Sequence, residues 1–303
     1  MRVLVTGGAG FLGSHIVDAL KARGDHIVAL DDLSTGDRAN LDPAIELAVA
    51  DVSDRDAVRE RLSGKRFDAV VHAAAKTKVV ESMAKPELYR RVIVEGTANA
   101  LDVAQRIGAT AFVNVSTGGA MYGETPTCAN EESPIDTPSP YGRYKAEAER
   151  LVATTPGLRA VTLRFANIYG PRQGVREEGA VVAVFATRMA ADQPVTIDGT
   201  GQQTRDFVYV GDCVTANIAA LERGSGGAFN IGTGRETSIR EIFDGMAEVA
   251  GYTHQPQFGP ARKGDVVRIV LNPALAAQQL DWRAAMPLHE GLTKTYRFFS
   301  DGR

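Results

Sequence analysis

The sequence predicts an α/β fold, with a doubly wound parallel sheet followed by a smaller C-terminal α/β domain. Three observations predict it. Short apolar, β-branched runs alternate with helical patterns through the first half, which implies right-handed crossovers and helices on both faces of the sheet. A glycine-rich turn joins the first run to the first helical pattern. After Arg164 the alternation stops, loops lengthen, and Gly170, Pro171, Gly174 and Gly179 cluster, so shorter elements begin there. The division is expected at residues 1–166 and 167–303, with some segments after 205 returning to the first domain.

Taken in order, the first run at 2–6 carries Val3, Leu4 and Val5, the composition of a buried parallel strand. Gly7, Gly8, Gly10 and Gly13 follow, and then a helix over 11–22 with Phe11, Leu12, Ile16, Ala19 and Leu20 on one face. One glycine permits the tight turn, one lets backbone N–H groups approach a pyrophosphate, and one lets helix and strand pack closely. The helix start adds unpaired N–H groups and a positive dipole end. The second run, 26–31, ends in Asp31 and Asp32. A carboxylate about 20 residues past the glycines takes both hydroxyls of an adenosine ribose and repels a 2′-phosphate, so NAD is favoured over NADP.

A third run at 45–50 leads into Asp51 and Val52. Asp51 either accepts from the adenine amino group or caps the following helix, expected at 54–62. The fourth run, 67–73, passes into Ala73, Ala74 and Ala75, small residues where a strand end meets a cofactor crevice. Further strands are expected at 111–116 and 159–165, with helices at 86–106 and 141–153. The second region reads as a helix near 180–191, a hairpin-like stretch near 194–210, and helices near 211–222, 238–250 and 288–299.

The totals narrow the function. Net charge is −3, so no basic field is available for nucleic acid or an anionic membrane. No apolar run approaches the ~18 residues of a membrane span. The first strand starts at Arg2, so no signal peptide is expected. Cys128 and Cys213 make no disulfide framework, and the five histidines form no close pair at zinc-ligand spacing. The expectation is a reduced, cytoplasmic, metal-free protein.

The segment SPYGRYKAEAER places Tyr141 and Lys145 four residues apart, on one face of a helix. A free tyrosine, with a pKa near ~10, is a poor base at neutral pH. An ammonium one turn away and a positively charged nicotinamide favour the phenolate, which then exchanges a proton with a substrate hydroxyl while the nicotinamide exchanges a hydride. A companion hydroxyl is expected at the end of the preceding strand, where Ser116 and Thr117 both stand.

With these residues in hand, the chain resembles the extended short-chain dehydrogenase/reductases, and within them the UDP-glucose (UDP-hexose) 4-epimerases. The matching stretches are TGGAGFLGSH at 6–15, DDLSTG at 31–36, VVHAAA at 70–75, VSTGGAMYGE at 115–124 and SPYGRYKAEAE at 139–149. LRFANIYGPRQ at 163–173, DGTGQQTRDFVYVGD at 198–212, FNIGTG at 229–234 and RKGD at 262–265 continue in family order. The resemblance implies a Rossmann-like domain that binds NAD through Gly7, Gly10, Phe11, Leu12, Gly13, Asp31, Asp32, Asp51, Val52, Ala73, Ala74, Ala75, Tyr141 and Lys145. It implies Tyr141 as acid/base, Lys145 as its partner on the nicotinamide ribose, and Thr117, with Ser116 as rival, as the hydroxyl between Tyr141 and the sugar O4. Asn167, Arg205 and Arg262 correspond to groups on the nucleotide-sugar diphosphate, Asp265 to the ribose ligand, and Thr196 and Asp198 to the uracil end. Without the family, Asn167 reads as a turn cap, and Arg205 and Arg262 as surface partners of Asp206 and Asp265.

Two departures stand out. The family's helical Asn, which supports the catalytic Lys, is replaced here at Val92 and Ile93. A bulky Tyr found near the hexose in some members corresponds to Ile269, which would leave room for an N-acetyl group. The resemblance implies C4 epimerisation of a UDP-hexose through a transient 4-keto sugar. The alternatives are a 4-ketoreductase, a 4,6-dehydratase, or a non-catalytic NAD-binding regulator. Gly118 and Gly119 stand where dehydratases carry Asp-Glu, and Asp31 disfavours external NADPH. A homodimer through the helices at 86–106 and 141–153 is also implied.

Overall fold

The alternating runs condense into one parallel sheet. The computed structural model describes residues 1–177, 179–261 and 266–302. The first half builds β1 (Arg2–Thr6), α1 (Phe11–Ala22), β2 (His26–Asp31), β3 (Glu46–Val49), α2 (Arg55–Arg61), β4 (Ala69–His72), α3 (Val79–Ala84) and α4 (Pro86–Arg90). It continues with α5 (Gly96–Arg106), β5 (Ala111–Thr117), α6 (Pro140–Thr154) and β6 (Arg159–Phe165). Then come β7 (Asn167–Tyr169), α7 (Val181–Ala190), β8 (Thr196–Asp198), β9 (Thr204–Arg205), β10 (Phe207–Tyr209), α8 (Val210–Arg223) and β11 (Gly227–Ile231). The chain closes with β12 (Thr237–Ser238), α9 (Ile239–Ala250), β13 (Gln257–Gly259), β14 (Arg268–Ile269), α10 (Ala274–Gln279) and α11 (Leu288–Ser300).

The large sheet has the order β11-β6-β5-β4-β1-β2-β3, with every pairing parallel. Its two faces follow the two-residue period of the strands. Val3, Val5, Ile27, Ala29, Val71 and Val113 share a core with Ile16 and Leu20 of α1 and with Ala216 and Ala220 of α8. Leu4, Val28, Leu30, Val70 and Phe112 pack with Val58 of α2, Leu101 and Ala104 of α5, and Val152 of α6 on the other face. Thus α8 and β11, which follow residue 205, pack on the first sheet. A separate core gathers Phe185 and Met189 of α7, Phe243 and Met246 of α9, and Leu292 of α11 around Ile197 and Phe207.

Two local expectations are corrected. The stretch 194–210 is not a hairpin. Instead β8 pairs with β13, β9 with β12 and β14, and β10 with β7. Gly199 and Gly201, at φ of 71° and 77°, supply the reversal that resembles a hairpin turn. Strands of two or three residues bury too little alone, so each is completed by a distant segment. The helix expected over 86–106 is broken. Pro86 opens α4, a wide π-helical turn spans Arg91–Glu95, and α5 follows. The Thr97 hydroxyl donates to the Ile93 carbonyl at 2.6 Å, just beyond that turn.

Candidate active site

The carboxyl ends of the large sheet and the smaller layer enclose a cleft of about 690 Å³. At one end, Gly7 adopts φ +68° and its N–H donates to the Leu30 carbonyl at 2.7 Å, which turns the chain from β1 over β2. A Cβ on Gly7 would lie 2.7 Å from the Ala74 nitrogen, and one on Gly13 would lie 1.9 Å from the Gly7 oxygen. The absent side chains are what let α1 approach the sheet. Gly10 is the N-cap of α1 with no side-chain cap and no acidic residue in the first turn. The turn formed by Phe11, Leu12 and Gly13 therefore faces the cleft with a positive end suited to a pyrophosphate.

Asp31 is buried at the end of β2. One of its oxygens accepts from the Ala9 N–H at 3.0 Å and the other from the Leu33 N–H at 2.9 Å. Burial moves its pKa above the ordinary carboxylate value, while those two hydrogen bonds act against the shift. Asp32 accepts from the Ser34 N–H at 2.9 Å. Both line the cleft, as do Asp51, Val52, Ala73, Ala74 and Ala75. The cap of α2 is Asp54, whose side chain accepts from the Ala57 N–H. Asp51 instead accepts from the N–H and hydroxyl of Ser53 at 2.8 and 2.7 Å, which turns the loop beneath it. This cradle fits a dinucleotide: a tight glycine turn, an uncapped helix start, and a carboxylate at the second strand end.

The middle of the cleft brings together Ser116, Thr117, Tyr141 and Lys145. The helix holding the last two starts at Ser139, whose hydroxyl accepts from the Gly142 N–H, with Pro140 in the first turn. Tyr141 is 7% exposed, and its backbone N–H donates to the Ser82 hydroxyl at 3.2 Å. Lys145 is also buried and donates to the Val115 carbonyl at 2.8 Å. Burial lowers its pKa to about 8, against the opposing field of Glu149. The two hydroxyls differ. Ser116 is 4% exposed and donates to Glu149 at 2.5 Å, behind the strand. Thr117 is half-buried and its hydroxyl accepts from the Ala120 N–H at 3.2 Å.

At the far end Asn167, Thr196, Asp198 and Arg205 line the same cleft. Asn167 lies within β7, not at a turn. Cβ atoms built on Gly119 and Gly179 would lie 3.4 and 3.7 Å from its amide oxygen and nitrogen. Arg205 is no partner of a surface Asp206. That carboxylate is buried and accepts from the Thr233 N–H and hydroxyl and from the Gly234 N–H. Arg262 and Asp265 lie outside the described residues. Ile269 is buried against Tyr122 and Leu271 and does not line the cleft, so it does not set the space there; Val266 does line it. Sequence reasoning missed Ser34 and Lys76, which meet at 3.2 Å and line the cleft, and Gln203, whose amide donates to the Asp198 carbonyl at 2.9 Å. Ser34 lies two residues past the Asp31–Asp32 pair and Lys76 directly follows the alanine run, and position was their available signal.

The fold and this cleft define a dinucleotide-binding α/β protein with a Tyr-Lys pair beside the cofactor cradle. The chain belongs to the NAD dependent epimerase/dehydratase family, whose model matches residues 3–232. It is 38% identical to a UDP-glucose 4-epimerase of Mycolicibacterium smegmatis, over 99% of this chain and 98% of that protein. A crystal structure of the Thermotoga maritima UDP-glucose 4-epimerase with UDP-glucose superimposes with a TM-score of 0.95 at 37% identity, covering 99% of both chains. The Thermus thermophilus UDP-glucose 4-epimerase in complex with NAD gives 0.94 at 39% identity, covering 100% of both chains.

Proposed function

We propose that the protein is an NAD-dependent isomerase that interconverts the C4 epimers of a UDP-hexose, UDP-glucose and UDP-galactose, through a transient 4-keto sugar. One observation carries the reading: Tyr141, Lys145 and Thr117 share one cleft with the glycine cradle on one side and Asn167 and Arg205 on the other. Bound NAD supplies a hydride acceptor that returns the same hydride. Gly7, Gly10, Gly13 and the start of α1 hold its pyrophosphate, and Asp31 holds its adenosine ribose. Tyr141 accepts the proton of the 4-hydroxyl, with Thr117 bridging the two oxygens, and gives a proton back when the 4-keto sugar is reduced on its other face. Lys145 keeps Tyr141 in its basic form and holds the nicotinamide ribose. Asn167 and Arg205 bind the diphosphate, with Arg262 joining them, while Asp265, Thr196 and Asp198 serve the ribose and base.

Elimination across C5 and C6 is disfavoured because Gly118 and Gly119, which follow Thr117, carry no group that transfers protons. We also place two copies together through α4–α5 and α6, which lie side by side, and the protein in the cytoplasm, in keeping with its free Cys128 and Cys213. Light scattering on the purified chain tests the dimer.

A coupled assay on UDP-galactose tests the reaction. Wild type is expected to produce UDP-glucose, and Tyr141→Phe to lose at least ~10³-fold in kcat while retaining NAD. Unimpaired turnover by Tyr141→Phe would remove the mechanism. Inactivity of wild type on UDP-hexoses and their N-acetyl counterparts alike would remove the function.

A further inference from the structure

Lys145 is buried where little holds it. Its ammonium donates to the Val115 carbonyl, and the adjoining face of α6 packs through Tyr141 and Ala148 onto Tyr89 and Ile93, an apolar wall. One turn further along α6 stands Glu149, 7% exposed. It accepts from the Ser116 hydroxyl at 2.5 Å and from Arg164 Nε and Nη2 at 3.0 and 2.7 Å. Arg164 is held in turn by the Tyr122 hydroxyl at 2.8 Å and the Glu131 carbonyl at 3.0 Å. Ser116 and Arg164 are register partners on β5 and β6, so two strands grip one carboxylate at the same row. Replacing a buried ion pair by apolar groups is often neutral for stability, so stability alone is a weak reason for this cluster behind the cleft.

We propose that Glu149 is a positioning residue for the reaction. Clamped by Ser116 and Arg164, its carboxylate is the counter-charge of the Lys145 ammonium and fixes α6 against β5 so that Tyr141 and Thr117 meet in one cleft. This rests on the reading of Tyr141 and Lys145 as the acid/base pair. While Tyr141 is protonated, the other groups described around Lys145 supply no negative charge. From β4, His72 is a neutral imidazole, its pKa lowered to about 3 by burial and then by Lys145 itself. Val115, Ser116 and Thr117 of β5 carry no ionisable side chain, and neither do the buried Val92 and Ile93 within the π-helical turn or Thr97 beyond it. Tyr141 precedes Lys145 on α6, and Arg164 reaches from β6 to Glu149. Among the described charged neighbours, Glu149 is the one that favours the ammonium, against the cost of burial.

The test is the titration of Lys145 itself, followed by NMR of protein carrying 13Cε-lysine, with Lys145→Met to assign the signal. Glu149→Gln is expected to lower the Lys145 midpoint by about 1–2 pH units, and to move the alkaline limb of the pH–rate profile down with it. Ser116→Ala, which keeps the carboxylate charged, is expected to lower stability and leave the midpoint in place. If Glu149→Gln fails to accumulate, the Lys145 midpoint of Glu149→Gln with Arg164→Gln is read against that of Arg164→Gln alone, which isolates the carboxylate. A midpoint within about 0.3 pH unit of wild type overturns the proposal. Wild-type inactivity on nucleotide sugars would instead refute the reaction, and the Lys145 midpoint would still report on Glu149.

Discussion

Ser116→Ala and Thr117→Val separate two neighbouring hydroxyls that the sequence leaves as rivals. Ser116 donates to a buried carboxylate at 2.5 Å, and a hydrogen bond to a charged group contributes about 1.5–3 kcal/mol. Ser116→Ala leaves Glu149 with Arg164 alone, so a loss near 2 kcal/mol is expected, or about 5 °C in Tm for a chain of this size. Thr117 makes a bond to the Ala120 N–H at 3.2 Å in a half-buried position, so Thr117→Val should cost only about 1 kcal/mol. Activity should run the other way. On the proposal that Thr117 bridges Tyr141 and the sugar, removing its hydroxyl should lower kcat by at least about 10²-fold, whereas Ser116→Ala should lose less. Chemical denaturation and the coupled assay on the same preparations give both numbers. A Ser116→Ala protein with unchanged Tm and a kcat reduced about 100-fold, beside an active Thr117→Val, would refute the assignment.

Gly13→Ala places a methyl 1.9 Å from the Gly7 oxygen, so loop or helix must move by more than about 1 Å. It should cost at least about 1–3 kcal/mol and strip bound NAD. Gly10→Ala meets only the Gly7 oxygen at 3.2 Å and should fold with a smaller loss, and NAD release on denaturation compares the two. His72 accounts for part of the acid sensitivity. It is held neutral between Thr6 at 2.7 Å and Thr97 at 3.1 Å, with a folded pKa of about 3 against an ordinary 6.5. Between those values the unfolded chain binds the extra proton, so stability falls as pH drops from about 6.5, by up to about 5 kcal/mol near pH 3. His72→Gln should flatten that part of the stability curve, measured by denaturant titration from neutral pH into the acid range.

The first six strands and the glycine cradle were legible because their signals are local: a buried parallel strand is a short apolar run, and a phosphate turn needs glycines at fixed spacing. Tyr141 and Lys145 were legible because four residues is one helical turn. The pairing of β8 with β13 was not, since three-residue strands carry no period and their partners lie about 60 residues away. The π-helical turn at Arg91–Glu95 has no residue signature, and Val92, Ile93 and Val94 there read equally as helix face. Glu149 and Arg164 were visible in the quoted motifs, yet a charge on a helix is usually solvated. Only the fold shows that they meet behind β5.

An epimerase must hold the reacting groups in place while leaving the sugar ring free to turn. Behind β5 and β4, the Lys145–Val115, Ser116–Glu149–Arg164 and Thr6–His72–Thr97 contacts tie α6 and the strands together beneath the cleft. Ala75, Val79, Gly119 and Ala120 line part of the same cleft with side chains that offer no hydrogen bonds. A hexose gripped there by fixed donors would present one face of C4 and stop after oxidation. In the proposed arrangement, with the diphosphate at Asn167 and Arg205 and the ring against small side chains, it can turn over and receive the hydride on the other face. The same argument explains why an acidic pair following Thr117 would be a hindrance: it would anchor the ring and open a route to elimination.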